Sequence, residues 1–109
     1  MEETKTIDLR PQDFEIVRKI LKEHLPQGTK VYVFGSRATG KARRGSDLDL
    51  ALDLGGKMEY RLKSRIALAF QDSDLPYMVD LMDLHTVNPN LKQIITPDFL
   101  ALDWDVIPG

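Results

Sequence analysis

The sequence contains no cysteine, which excludes disulfide staples, thiolate metal sites and thiol nucleophiles. It has no apolar run approaching the ~20 residues that span a bilayer, so a membrane role is not expected. Met1 to Asp8 is acidic and carries no apolar signal core, which makes the cytoplasm the expected compartment. Positive charge is not in excess either. Fifteen Lys and Arg against seventeen Asp and Glu give a formal charge of -2, so direct nucleic-acid binding over a broad basic surface is not expected and any phosphate recognition must be local. The two histidines, His24 and His85, have no second histidine at metal-ligand spacing and read as structural. Repeats and low-complexity tracts are absent. With 109 residues, 42% of them hydrophobic, the chain has material for one core and one domain, 1–109.

What is present is a regular alternation of helix and strand signals. Residues 1–10 are polar and predict a flexible start. Pro11 suits a first helical position, Asp13 places negative charge in the first turn, and Phe14, Val17, Ile20, Leu21 and Leu25 form one apolar stripe that Pro26 and Gly28 end. Lys30–Phe34 is β-branched and aromatic, is stopped by Gly35, and predicts a central strand. Asp47–Leu54 alternates strictly, with Leu48, Leu50, Leu52 and Leu54 on one face and Asp47, Asp49 and Asp53 on the other. Met58, Leu62, Ile66, Ala69 and Phe70 predict a second long helix over 57–71. Tyr77–Leu84 predicts a third strand, and Asn88 followed by Pro89 caps a short helix carrying Leu91, Ile94 and Ile95. Residues 98–109 alternate through Leu100, Leu102, Trp104 and Val106 as a tail or edge strand, which packs on this domain or on a partner chain. Met58, Met78 and Met82 read as core filler, and Asp53 and Asp83 as surface carboxylates.

Gly35 and Ser36 follow a strand, and Asp47 and Asp49 open the next after ten intervening residues. Either half alone is common; the pair at this spacing is specific. The run GSRATGKARRGSDLDL resembles the signature of the polymerase β-like nucleotidyltransferases, and of their minimal members, the MNT family, in particular. The later VDLMDL resembles the strand that carries that family's third carboxylate, and the order of elements matches over roughly residues 11–96. The resemblance implies an α/β (α+β) fold with a small mixed β-sheet, helices on one face and a palm-like site. It also implies a magnesium-dependent enzyme that moves AMP from ATP to a protein hydroxyl, and a helical HEPN-domain partner: the antitoxin of a HEPN/MNT toxin–antitoxin pair, adenylylating a tyrosine of the toxin.

The residues support this on their own terms. Asp47 and Asp49 lie two apart on a strand and so share a face. If Val79 and Leu81 join the buried leucines, Asp80 emerges beside them. Three carboxylates at one point repel by roughly 4 kcal/mol per pair at 4 Å and an effective dielectric near 20. Magnesium relieves that repulsion, and two ions would clamp the attacking and leaving oxygens of an in-line displacement. Asp47, Asp49 and Asp80 are therefore the expected metal and catalytic residues. Gly35 and Ser36, at the start of a short helix, are the expected triphosphate residues, with Arg43, Arg44 and Ser46 as further nucleotide contacts and Lys41 as another candidate. Two other readings stand beside this one: a non-catalytic module that neutralises a partner by covering it, with Trp104 at the contact, and a nucleotidyltransferase acting on RNA or a small molecule.

Overall fold

The computed structural model describes residues 6–105; residues 1–5 of the predicted flexible start and residues 106–109 of the predicted edge strand lie outside them. Helix α1 (Pro11–His24) opens on a proline and buries Val17, Ile20 and Leu21. Strand β1 (Lys30–Phe34) leads to the single-turn helix α2 (Ser36–Thr39), then to strand β2 (Leu48–Asp53). Helix α3 (Tyr60–Gln71), strand β3 (Val79–Asp83), helix α4 (Pro89–Ile95), a 3-10 turn over Thr96–Asp98 and strand β4 (Leu100–Ala101) complete the chain.

The four strands lie in the order β3-β2-β1-β4. Strand β1 pairs antiparallel with β2 and with β4, whereas β2 and β3 run parallel. A parallel neighbour needs a crossover, and α3 supplies it. Val31, Val33, Leu48, Leu50, Leu52, Ile66, Phe70, Val17 and Leu21 form one buried cluster, so the alternating leucines face α1 and α3. The opposite face carries Asp49, Asp80 and an aromatic group in which Phe99 stacks on Tyr32 at 5.2 Å and lies 5.7 Å from Phe34.

The structure departs from the sequence expectations at several places, among them the third strand, which begins at Val79, and the edge strand, which spans only Leu100–Ala101. Residues 6–10 are held down: Asp8 N–H donates to Arg37 O at 2.8 Å, and Ile7 and Leu9 pack against the core. Helix α3 starts at Tyr60 rather than at residue 57 because Met58 N–H donates to Asp83 Oδ2 at 2.8 Å instead of entering a helix. Asp83 is correspondingly not a surface residue. It is 5% exposed and also accepts from His85 N–H at 2.9 Å, so the β3 end and the approach to α3 share one buried carboxylate. Met78 is no core filler, being 71% exposed just ahead of the sheet edge. Trp104 is no free contact surface, since its ring is buried and its Nε1–H donates to Thr29 O at 3.0 Å.

Replacing Asp83 by Ala leaves the buried Met58 amide without an acceptor, for which the usual cost is about 1–3 kcal/mol. A urea unfolding series is expected to show a loss of that size with the slope unchanged.

Candidate active site

Strand β1 ends because Gly35 adopts φ 72°, ψ -155°, a region closed to residues with a side chain. A Cβ built on Gly35 would fall on Asp49 Oδ2, so the backbone here runs directly against a carboxylate of β2. Ser36 then opens α2, whose one turn is closed by Ala38 and Thr39 N–H donating to Gly35 O at 3.0 and 3.1 Å. Gly40, at φ 78°, ends it.

Register places the acids. Asp49 stands opposite Phe34 on one side and Asp80 on the other. Leu48 and Leu50 pair with Val79 and Leu81, so the apolar residues of both strands turn toward the helices and Asp49 and Asp80 project together from the open face. Asp47 lies exposed one residue ahead of β2. Burial pushes the Asp49 carboxyl above the usual carboxylate range, and the charges of Asp80 and Asp47 and a hydrogen bond with Asp80 push it further. Asp49 thus lies against Gly35 and beside Asp80 in the ladder, with Asp47 near enough for its charge to be felt at Asp49.

Among the described residues, no group of three or more His, Asp or Glu side chains is placed to hold a metal ion by itself. Magnesium does not require one, because it keeps several waters and is held by one or two carboxylates together with substrate phosphates. Asp49 and Asp80 are hard oxygen donors of the kind such an ion takes, and burial first, then the charges of Asp80 and Asp47, disfavour the ionised Asp49 that a cation would restore.

The basic residues fall into two groups. Lys41, Arg43 and Arg44 are exposed, and none of them forms an ion pair among the described residues. Arg43 and Arg44 line a cleft of about 550 Å³ that also contains Arg10, Asp13, Arg37 and Tyr77. Ser46 closes its own turn, its hydroxyl accepting from Arg43 N–H at 2.8 Å.

Sequence reasoning missed the buried network behind this cleft. Arg37 is 5% exposed; its Nε and Nη2 donate to Ser46 O at 3.0 and 2.8 Å, and its Nη1 to Asp8 O at 2.9 Å. The guanidinium lies 3.9 Å from the centre of the Tyr77 ring. Tyr77 OH donates to Asp13 at 3.0 Å, and Asp13 also accepts from Arg10. Burial and the Asp13 carboxylate hold the Tyr77 phenol well above its usual range. Arg37 follows Ser36 directly, and that adjacency was the one signal available; its partners lie nine and twenty-nine residues away.

Comparison with known proteins gives a consistent result. The family model described as polymerase β nucleotidyltransferase matches residues 15–98. A probable protein adenylyltransferase MntA of Haemophilus influenzae is 36% identical over 96 residues, covering 88% of this chain and 83% of its own. The crystal structure of a toxin–antitoxin with AMP-PNP superposes with a TM-score of 0.69 at 27% identity, over 83% of this chain and 72% of the other. A tri-AMPylated Shewanella oneidensis HEPN toxin in complex with an MNT antitoxin contains a similar fold, with a TM-score of 0.56 at 23% identity over 82% and 71% of the two chains.

Proposed function

From the premise that the chain belongs to the polymerase β nucleotidyltransferase family, we propose that it is a protein adenylyltransferase that moves AMP from ATP onto a hydroxyl of a HEPN-type toxin and so acts as that toxin's antitoxin. The observation that supports this is Asp49 lying against Gly35 and beside Asp80 in the ladder, with the charge of Asp47 felt at Asp49. The MntA relative is itself a probable protein adenylyltransferase, and the AMPylated HEPN toxin in the Shewanella complex supplies the acceptor class. Tyrosine is the acceptor favoured, and the cytoplasm, where ATP is abundant, is the compartment. No helix among the described residues is long and apolar enough to cross a membrane.

In this reading the triphosphate lies along the Gly35–Ser36 turn. Gly35 lets the backbone approach it, and the Ser36 hydroxyl and amide are offered to its oxygens. Asp47, Asp49 and Asp80 would hold two magnesium ions, which when bound neutralise phosphate charge and stabilise the departing pyrophosphate. The acceptor oxygen forms a bond to the α-phosphorus as the bond to the β-phosphate oxygen breaks and pyrophosphate leaves. Asp80, exposed on the edge strand β3, takes the acceptor proton, with Asp49 beside it fixing its direction. Arg43 and Arg44 contribute positive charge from the loop ahead of β2.

The buried Trp104 does not supply the exposed contact that the covering alternative assigned to it. Incubating the chain with its HEPN partner, ATP and magnesium is expected to add AMP-sized mass increments to the partner, and omitting either ATP or magnesium is expected to remove them. No increment under full conditions defeats the transfer reading, and efficient labelling of RNA or a small molecule in its place would establish the runner-up.

A further inference from the structure

Asp47 has no place in the β ladder. Strand β2 begins at Leu48, whose N–H donates to Met78 O at 2.9 Å. On the other side, the turn from Arg43 to Ser46 is closed on itself, Ser46 N–H donating to Arg43 O at 3.0 Å and Arg43 N–H to the Ser46 hydroxyl at 2.8 Å. Among the described residues, these hydrogen bonds stay within the turn. The bonds that fix it are those of Arg37, which grips Ser46 O with two nitrogens at 3.0 and 2.8 Å.

A guanidinium 5% exposed must find acceptors for its donors, because stranding a charge away from water is costly. Its acceptors here are main-chain carbonyls on two segments, and an aromatic face on a third. The three segments are the chain ahead of α1, the residue before Asp47, and the approach to β3. The stem of Arg37 is rooted in α2, next to Ser36. One side chain therefore ties the turn that carries Ser36 to the residue preceding Asp47, and through Tyr77 to the strand that carries Asp80.

We propose that Arg37 is a positioning residue that fixes Asp47 relative to the Gly35–Ser36 turn, and so sets the affinity of the site for a magnesium–nucleotide complex without touching it. Lysine cannot replace it. A planar fork can grip one carbonyl from two nitrogens while lying flat on a ring, and a point ammonium cannot do both. The inference rests on the transfer reading only through nucleotide binding, and binding is what the test measures.

The experiment is calorimetric titration of the full chain with magnesium and a non-hydrolysable ATP analogue, for wild type and Arg37→Lys, alongside thermal unfolding. Arg37→Lys is expected to stay folded at the assay temperature, to bind the complex at least tenfold more weakly, and to need correspondingly more magnesium for half-maximal rate, with kcat at saturation changed much less than KM. Affinity within twofold of wild type, or a loss that merely tracks the unfolded fraction, overturns the proposal. Should Arg37→Lys fail to fold, the Arg37 Nε–H proton of wild type is observed by NMR instead: it is expected to be protected from exchange and to shift when the complex binds, and an unmoved resonance overturns the proposal. Wild type that binds the complex yet transfers nothing defeats the transfer reading and leaves this inference standing; wild type that binds nothing defeats both.

Discussion

Asp49→Asn is expected to abolish AMP transfer and, at the same time, to raise the unfolding temperature of the metal-free protein at neutral pH. The catalytic half follows from charge. Asparagine removes the anion that lies against Gly35 and beside Asp80, and the proposed metal-assisted displacement, losing several kcal/mol of charge stabilisation, slows by at least about a thousandfold. The stability half follows from linkage. Burial and the neighbouring acids hold the folded-state pKa of Asp49 above its ordinary value, so folding disfavours the ionised form. That penalty is absent below the ordinary carboxylate range, grows as pH rises from there to the elevated pKa, and is complete above it. Asparagine never incurs it. The gain in unfolding temperature is therefore expected to close as pH falls below the ordinary carboxylate range, and a gain that persists unchanged there would refute the electrostatic account. Magnesium with ATP should reverse the order. At a hundredfold excess over Kd a ligand stabilises by about 2.7 kcal/mol, roughly 10 °C or more in a domain of this size, and only wild type should benefit. Protection of cells by the Asp47→Asn, Asp49→Asn double variant at wild-type level would show that covering suffices.

Gly35→Ala is the second large effect, and it arises from geometry alone. At φ 72°, ψ -155° a residue with a side chain bears a strain of about 1–3 kcal/mol. The added methyl also lands on Asp49 Oδ2, so either the turn or the carboxylate must move. A displacement near 1 Å at a site of this kind costs about a hundredfold. Steady-state kinetics should show that loss in kcat/KM, together with a lowered unfolding midpoint; alanine with wild-type kinetics would mean that Gly35 does not set the distance between turn and acid. Unlike Asp49→Asn, this variant is expected to lose stability and activity together.

The parts of this molecule legible in the sequence are those written in local pattern. The bounds of β1 follow from a β-branched run stopped by one glycine, and the two faces of β2 from strict alternation. Asp80 could be assigned to the acidic face from the parity of Val79 and Leu81 alone. The parts that were not legible depend on pairs far apart in the chain. Asp83 shares the parity of the core residues, but its burial is explained only by the Met58 and His85 amides that meet it. Arg37 sits in a run of cations and glycines whose composition reads as a solvated loop, yet its donors go to Ser46 and Asp8. Trp104 needs Thr29 as its partner, seventy-five residues away, and no periodicity announces that.

With both long helices on one side of the sheet, the proposed chemistry lies on the face that those helices leave open. Neither long helix can enclose an acceptor there. Discrimination must come from how a second macromolecule seats itself before any bond changes, so selection among substrates is made at encounter and at release, by association and residence time.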